Sequence, residues 1–241
     1  MRNQYRRLQL DVLKHGKFLR FCEVSYEPLS DNTMLEQKNR TNNSISKWEL
    51  VQRTTGNIPL NLRHTTPVPF AIDCAEICAL LSRGEDVFLI LVAQYRPPLD
   101  AVVIEFPAGL VDPEEDVKAA ALRELHEETG YTASLEDVIS VSDALCLEPG
   151  LSDSCSKFVK IRVDGDKEAN HSPQPHLQDG EDIEVILLPL RRGKTEGVIC
   201  TPLEQLRCMM NERGMTENRA IIDARLAMFL EGLSYAVAMT L

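Results

Sequence analysis

Four glutamates fall at fixed intervals in the stretch "GLVDPEEDVKAAALRELHEETGY" (109–131): Glu115, then Glu124, Glu127 and Glu128, with Arg123 directly before the last three. On a helix advancing about 100° per residue, Glu124 and Glu128 lie one turn apart on one face, with Glu127 beside them. Unrelieved, such like-charge pairs cost about 0.2–0.5 kcal/mol each. A divalent cation removes that cost. Magnesium prefers hard oxygen ligands and keeps several waters, so a few carboxylates together with phosphate oxygens make a typical site. A merely solvated acidic face is the rival reading, and a metal site is the one that would use the spacing. Its cation would in turn attract an anionic substrate.

The rest of the chain must build a frame that holds this helix. With 241 residues it is long enough for one large domain, or one domain and a small appendage. A hydrophobic share of 44% and a charged share of 26% are those of a globular protein. The net charge of −11 speaks against a nucleic-acid or anionic-membrane partner. Seven cysteines without CxxC spacing read as reduced, mostly buried thiols, which places the protein in the cytoplasm or nucleus. Neither a signal peptide nor a membrane span is recognisable.

Residues 1–70 are polar and broken. Strands are expected at 17–26 and 47–55, with a long turn region between them and a proline-containing loop over 56–69. From residue 71 the character changes. A buried hairpin is expected from "CAEICALL" and "VFLILVAQYR", then a strand at 102–106 and a loop over "PAGLVDPEED". The acidic helix follows, capped by Asp116 or started at Asp112-Pro113, and ended by Gly130. Further strands are expected at 138–147, 157–163 and 183–190, and closing helices at 201–212 and 220–236. Interleaved strands and helices indicate an α/β fold, a mixed sheet covered on both faces. The division expected is an N-terminal β region over 1–70 and a main domain over 71–241.

Gly109, five residues, Glu115, seven residues, then Arg123-Glu124-Leu125-x-Glu127-Glu128-x-Gly130 resembles the Nudix box. One departure is mild: the last box position, usually aliphatic, is Tyr131. The segments "QYRPPLDAVVIEFPAGLVD", "KWELVQRTT" and "LCLEPGLSDS" further resemble the ADP-sugar pyrophosphatases of that superfamily, over about residues 16–190. The resemblance implies a Nudix-type α/β/α sandwich. The implied activity is hydrolysis of the diphosphate bridge of ADP-ribose and related ADP-sugars to AMP and a sugar phosphate, with magnesium, or manganese in its place, at about two or three ions per site.

The resemblance also implies residue roles. Glu124 and Glu128 coordinate the metals, the backbone carbonyl of Ala108 joins them, and Glu127 adds charge or a water-mediated contact. Arg123 orients Glu127, Gly109 lets the loop turn beneath the helix, and Glu115 either anchors the loop or takes a metal-linked role. Leu110 contacts substrate, and Arg53 and Arg96 pair with phosphate oxygens, for which a planar guanidinium is well shaped. Trp48 stacks on adenine with Glu49 near its polar edge. Phe18 stands where the family usually has a second tryptophan. Glu181 either approaches the metals and activates water or is a plain loop carboxylate, with Asp182 and Glu184 as weaker candidates. Glu148 reaches a neighbouring subunit's substrate, so a homodimer is implied, its N-terminal segment swapped between subunits. Two rivals stand beside this reading: hydrolysis of oxidised nucleoside diphosphates, and a binding module that keeps the fold without catalysis.

Overall fold

Alternating apolar and polar residues begin close to the N-terminus, in "YRRLQLDVLKH", and they form a strand. The computed structural model describes residues 5–29, 45–54, 70–190, 193–195, 198–215 and 219–238. The loop expected over 56–69 lies outside them. The chain divides into two compact units: residues 1–73 with 144–156, and residues 74–143 with 157–241. The segment 144–156 thus groups with the N-terminal residues, a long-range association that a boundary at 70/71 does not include.

In the first unit β1 (Tyr5–His15), β2 (Leu19–Pro28) and β3 (Ser46–Arg53) form an antiparallel sheet in that order. The sequence reading had placed no strand before residue 17. Glu23 lies directly opposite Glu49, and Lys47 relieves that like-charge pair by bonding Glu23 at 2.6 Å. Three strands cannot bury all their apolar side chains: Tyr5, Leu8, Val12, Leu13 and Phe21 remain exposed.

The second unit is built on a mixed sheet. Its elements begin with β4 (Ile72–Arg83, its first two residues in the first unit), β5 (Asp86–Arg96), β6 (Ala101–Glu105), β7 (Ala108–Leu110), helix α1 (Val117–Thr129) and β8 (Val138–Val141). After β9 (Leu145–Cys146), which belongs to the first unit, come β10 (Cys155–Asp164) and β11 (Ile183–Pro189). The chain closes with β12 (Gly193–Thr195), β13 (Val198–Cys200), α2 (Pro202–Glu212), β14 (Ala220–Ile222) and α3 (Ala224–Ala238). The strand order is β14-β6-β5-β4-β10-β8, with β11 on β5 and β7 on β4.

Three expectations are corrected. Ala220–Ile222 is not the start of a helix; it pairs in parallel with β6, and Asp223 accepts from the Arg225 and Leu226 backbone N–H groups to begin α3. The strand expected over 138–147 is interrupted, because Ser142 turns its hydroxyl to the neighbouring carbonyl of Asp143. Within the expected loop over 107–116, Ala108–Leu110 is a strand, paired with β4 so that Glu76 faces Ala108. The open choice of helix start is settled: Asp116 caps α1 by accepting from Lys118 N at 2.8 Å.

Alternation along β5 sends Leu89, Leu91 and Ala93 into one core with Leu206 of α2 and Leu226 and Leu230 of α3. On α1 the buried residues Ala120, Ala121 and Leu125 give the opposite layer its small, close-packing face. The result is the α/β/α arrangement with a mixed sheet. Tyr131, the box's departure from an aliphatic residue, is buried and accepts a hydrogen bond from Arg83 at 2.9 Å. That bond satisfies the hydroxyl that burial would otherwise strand.

Candidate active site

Close approach of backbone to carboxylate begins at Gly109. A Cβ there would fall 1.8 Å from Cδ of Glu124, so only glycine lets β7 pass beneath that side chain. At the far end of α1, Gly130 has a φ of 74° and its N–H bonds the carbonyl of His126 at 2.8 Å. A Cβ at Gly130 would also meet the backbone of Gln174 at 2.3 Å, so two constraints fix this glycine.

Arg123 uses its whole guanidinium fork. Nε and Nη2 donate to the two oxygens of Glu115, both at 2.9 Å, and Nη2 also reaches the Leu110 carbonyl at 2.9 Å. Nη1 donates to Glu124 at 2.7 Å and to Glu127 at 3.3 Å. Glu115 in addition accepts from Asp112 N at 3.0 Å. Glu115 is therefore the anchor of the loop before the helix, and Arg123 orients Glu124 and Glu115 more tightly than Glu127. The bonds from Arg123 hold the Glu115 carboxyl below its ordinary range.

Glu124 and Glu128 are both buried. Burial pushes Glu128 up to about 8; the Ala108 N–H, which it accepts at 3.0 Å, opposes this, and the charges of Glu124, Glu181 and Glu105 add to it. Burial likewise raises Glu124 against the pull of Arg123, with Glu127 and Glu181 repelling. The structure thus brings Glu124, Glu127, Glu128 and Glu181 into one electrostatic neighbourhood. The Ala108 N–H donates to Glu128 at 3.0 Å, which sets that backbone beside the helix carboxylates. Glu181 closes its own turn: its carboxylate accepts from Gln178 N at 2.8 Å and its N–H donates to the Gln178 carbonyl at 3.0 Å. Of the weaker candidates, Asp182 and Glu184 are exposed, and Glu184 is ion-paired with Arg213.

Arg96 holds Glu105 through two bonds of 2.7 and 2.8 Å. Sequence reasoning missed Glu105, and with it Glu76, Asp223 and Arg225. Arg225 bonds both Asp223 and Glu76, and its charge is felt at Glu105. The available signal was a glutamate in each of two apolar strands, "CAEICALL" and "VVIEF", since a buried carboxylate demands a partner. Gly109→Ala is expected to push Glu124 off its bond to Arg123. We expect turnover to fall by about tenfold or more, at a stability cost of about 1–3 kcal/mol; initial rates and thermal unfolding measure the two.

The residues expected to bind the base and its neighbours lie in the first unit. Phe18 is exposed at the turn between β1 and β2, with Lys17 Nζ 4.7 Å over its ring. Trp48 is exposed, and its Nε1 donates to the Gly150 carbonyl at 3.1 Å. Trp48 lies opposite Val24 in the ladder, while Phe18 precedes Leu19, which lies opposite Arg53. Alternation sets Glu49 and Arg53 on the other face of β3 from Trp48. Glu148 is exposed, in a tight turn where its carbonyl accepts from Leu151 and Ser152 N–H at 2.9 Å.

The donor chemistry suits a hard divalent cation: oxygen ligands, partly buried, with more negative charge than Arg123 alone compensates. Among the described residues no group of three or more His, Cys, Asp or Glu already stands at ligand distance. Magnesium needs only one or two carboxylates, with waters and phosphate oxygens completing its shell.

The NUDIX domain matches residues 74–197, just over half of the chain. The chain is 38% identical over 180 residues to the ADP-sugar pyrophosphatase of Mus musculus, covering 74% of this chain and 71% of that one. It is 32% identical over 232 residues to the putative nudix hydrolase 2 of Caenorhabditis elegans, covering 96% and 86%. It is also 32% identical over 177 residues to the ADP-ribose pyrophosphatase of Saccharomyces cerevisiae, covering 70% and 75%. The chain belongs to the Nudix family and carries its hydrolase domain. Nudix hydrolases generally use divalent metal ions.

Proposed function

We propose that this protein hydrolyses the diphosphate bridge of ADP-ribose and related ADP-sugars, releasing AMP and a sugar phosphate. The observation that carries the reading is the pair of buried carboxylates, Glu124 and Glu128, within reach of the charge of Glu181, a set of hard oxygen donors that a divalent cation would hold in ionised form. The names of the mouse and yeast relatives support the substrate class. In this reading Glu124 and Glu128 hold magnesium, or manganese in its place, and Glu127 adds charge beside them. A divalent cation held by these carboxylates would supply positive charge to the diphosphate and would acidify the attacking water. Glu181 takes the proton from that water. Arg96, released in part from Glu105, pairs with phosphate oxygens. Trp48 and Phe18 stack on adenine.

The test is hydrolysis of ADP-ribose in oxygen-18 water with magnesium, followed by the mass of both products. AMP with ribose 5-phosphate is expected, the label showing which phosphorus was attacked. Turnover of oxidised nucleoside diphosphates with ADP-ribose untouched would replace this reading with nucleotide-pool cleansing.

The reading includes a two-fold homodimer, the commonest symmetric assembly. Phe18 and Trp48 lie about six ladder positions apart, or roughly 20 Å along the strands. One chain cannot clamp an adenine between them, whereas two copies can each supply one ring. The exposed apolar side chains of β1 and β2 suit a surface covered by a second copy. We expect an inactive Trp48→Ala chain mixed with an inactive Glu128→Gln chain to recover roughly a quarter of wild-type activity. Half of the dimers are then mixed, and one of their two sites is intact. A monomer by light scattering, or no recovery despite proven subunit exchange, would count against the shared site.

A further inference from the structure

Two cysteines face each other in the first unit. Cys146 of β9 and Cys155, the first residue of β10, are direct partners in an antiparallel ladder, and Leu147 N donates to the Ser154 carbonyl at 3.1 Å on the next rung. Direct partners place their side chains on the same face, with Cα atoms about 4.5–5.5 Å apart. Disulfides span Cα separations of about 4.4–6.8 Å. Only a small approach of the two Cβ atoms, from about 4.5–5.5 Å to about 3.8 Å, is then needed. Both residues are thiols, Cys146 exposed and Cys155 buried at 6% exposure. The pair thus has one thiol open to solvent and one buried thiol, whose Sγ donates to the Asp153 carbonyl at 3.7 Å.

We propose that Cys146 and Cys155 are a redox modification site, an exposed attacked thiol with a buried resolving thiol. The oxidant is a hydroperoxide. The Cys146 thiolate attacks it, an S–O bond forms, the O–O bond breaks, and hydroxide or alkoxide leaves and is protonated. The sulfur of Cys155 then attacks the Cys146 sulfenic acid, the S–S bond forms, the S–O bond breaks, and water leaves with the proton of Cys155. In sum, two thiols and one hydroperoxide give one disulfide, one water and one alcohol (or a second water).

The crosslink closes the loop 147–154, and that loop is tied to β3. The Gly150 carbonyl accepts from Trp48 Nε1 at 3.1 Å, the Leu151 carbonyl accepts from Val51 N at 2.9 Å, and Asp153 accepts from Gln52. Drawing the base of the loop together shifts the groups that hold the Trp48 ring. This consequence rests on the reading of Trp48 as an adenine-stacking residue. On that basis oxidation raises KM for ADP-ribose about three- to tenfold while kcat stays within about twofold.

The full chain is oxidised with hydrogen peroxide, its remaining thiols are alkylated, and it is cleaved before aspartate. Asp153 lies between the two cysteines, so their peptides stay joined only through a disulfide. Joined peptides, about 2 Da lighter than their sum and separated by dithiothreitol, are expected. In Cys155→Ser, Cys146 should stop at the sulfenic acid and take up dimedone; in Cys146→Ser no linked peptide should form. Alkylation of both cysteines after oxidation, or Cys146 linked to any other cysteine, would overturn the site. A linked pair with unchanged KM would overturn the effect on substrate binding. Reduced protein inactive on ADP-ribose would refute the proposed function, while the peptide map still decides the modification.

Discussion

Glu128→Gln should cost at least about a hundredfold in turnover while making the metal-free protein more stable at alkaline pH. The first effect follows from removing one of the two buried carboxylates assigned to the cation, a charge that stabilises the reacting diphosphate. The second follows from burial. In the folded metal-free chain Glu128 is pushed up to about 8, against an ordinary value of 4.5. Between those values the native state holds a proton that the unfolded state releases, so wild type loses stability as pH rises through this window. Glutamine has no proton to lose. Its carbonyl can still accept from the Ala108 N–H, so the variant should match wild type near pH 5 and unfold at a higher temperature at pH 9. Adding magnesium at pH 9 should then raise the unfolding temperature of wild type much more than that of the variant. Thermal unfolding with chelator or magnesium, beside initial rates on ADP-ribose, measures all three. Turnover like wild type in saturating magnesium would remove this helix from the role of metal site.

The acidic helix was legible because its signals are local. Spacing gave the carboxylate face, Asp116 and Gly130 gave the ends, and the box gave Gly109 its purpose before any contact was visible. What could not be read rests on distant pairing. The strand Ala220–Ile222 runs directly into a helical pattern, and only its parallel partner β6, more than a hundred residues earlier, makes it a strand. Arg225 meets Glu76 across 149 residues, so no window of sequence links the pair. Arg96 was expected to await a phosphate, and the structure places Glu105 against it, because a carboxylate buried in β6 needs a cation even without substrate. Trp48, Glu49 and Arg53 were grouped by resemblance, and alternation along β3 separates them onto two faces. The grouping can hold only if the two faces meet different parts of the substrate, or different subunits.

Glu181→Gln should abolish turnover, by at least about a hundredfold, and leave the binding of a non-hydrolysable ADP-ribose analogue within about threefold of wild type. The expectation begins from position. Glu181 sits in the turn before β11, held by its own bonds to Gln178, and its charge reaches Glu124 and Glu128. Glutamine can still accept from the Gln178 N–H, so the turn should persist and the unfolding temperature should change little. What is lost is the capacity to take a proton. A base and a metal ligand fail differently: loss of a ligand raises the magnesium concentration needed for half-maximal rate, whereas loss of a base lowers the rate at every concentration. We expect the second pattern. Calorimetric titration of the analogue and a magnesium series of initial rates separate the two. Turnover within a fewfold of wild type would move the base elsewhere, and Glu127, beside the two proposed ligands, would be the next carboxylate to replace.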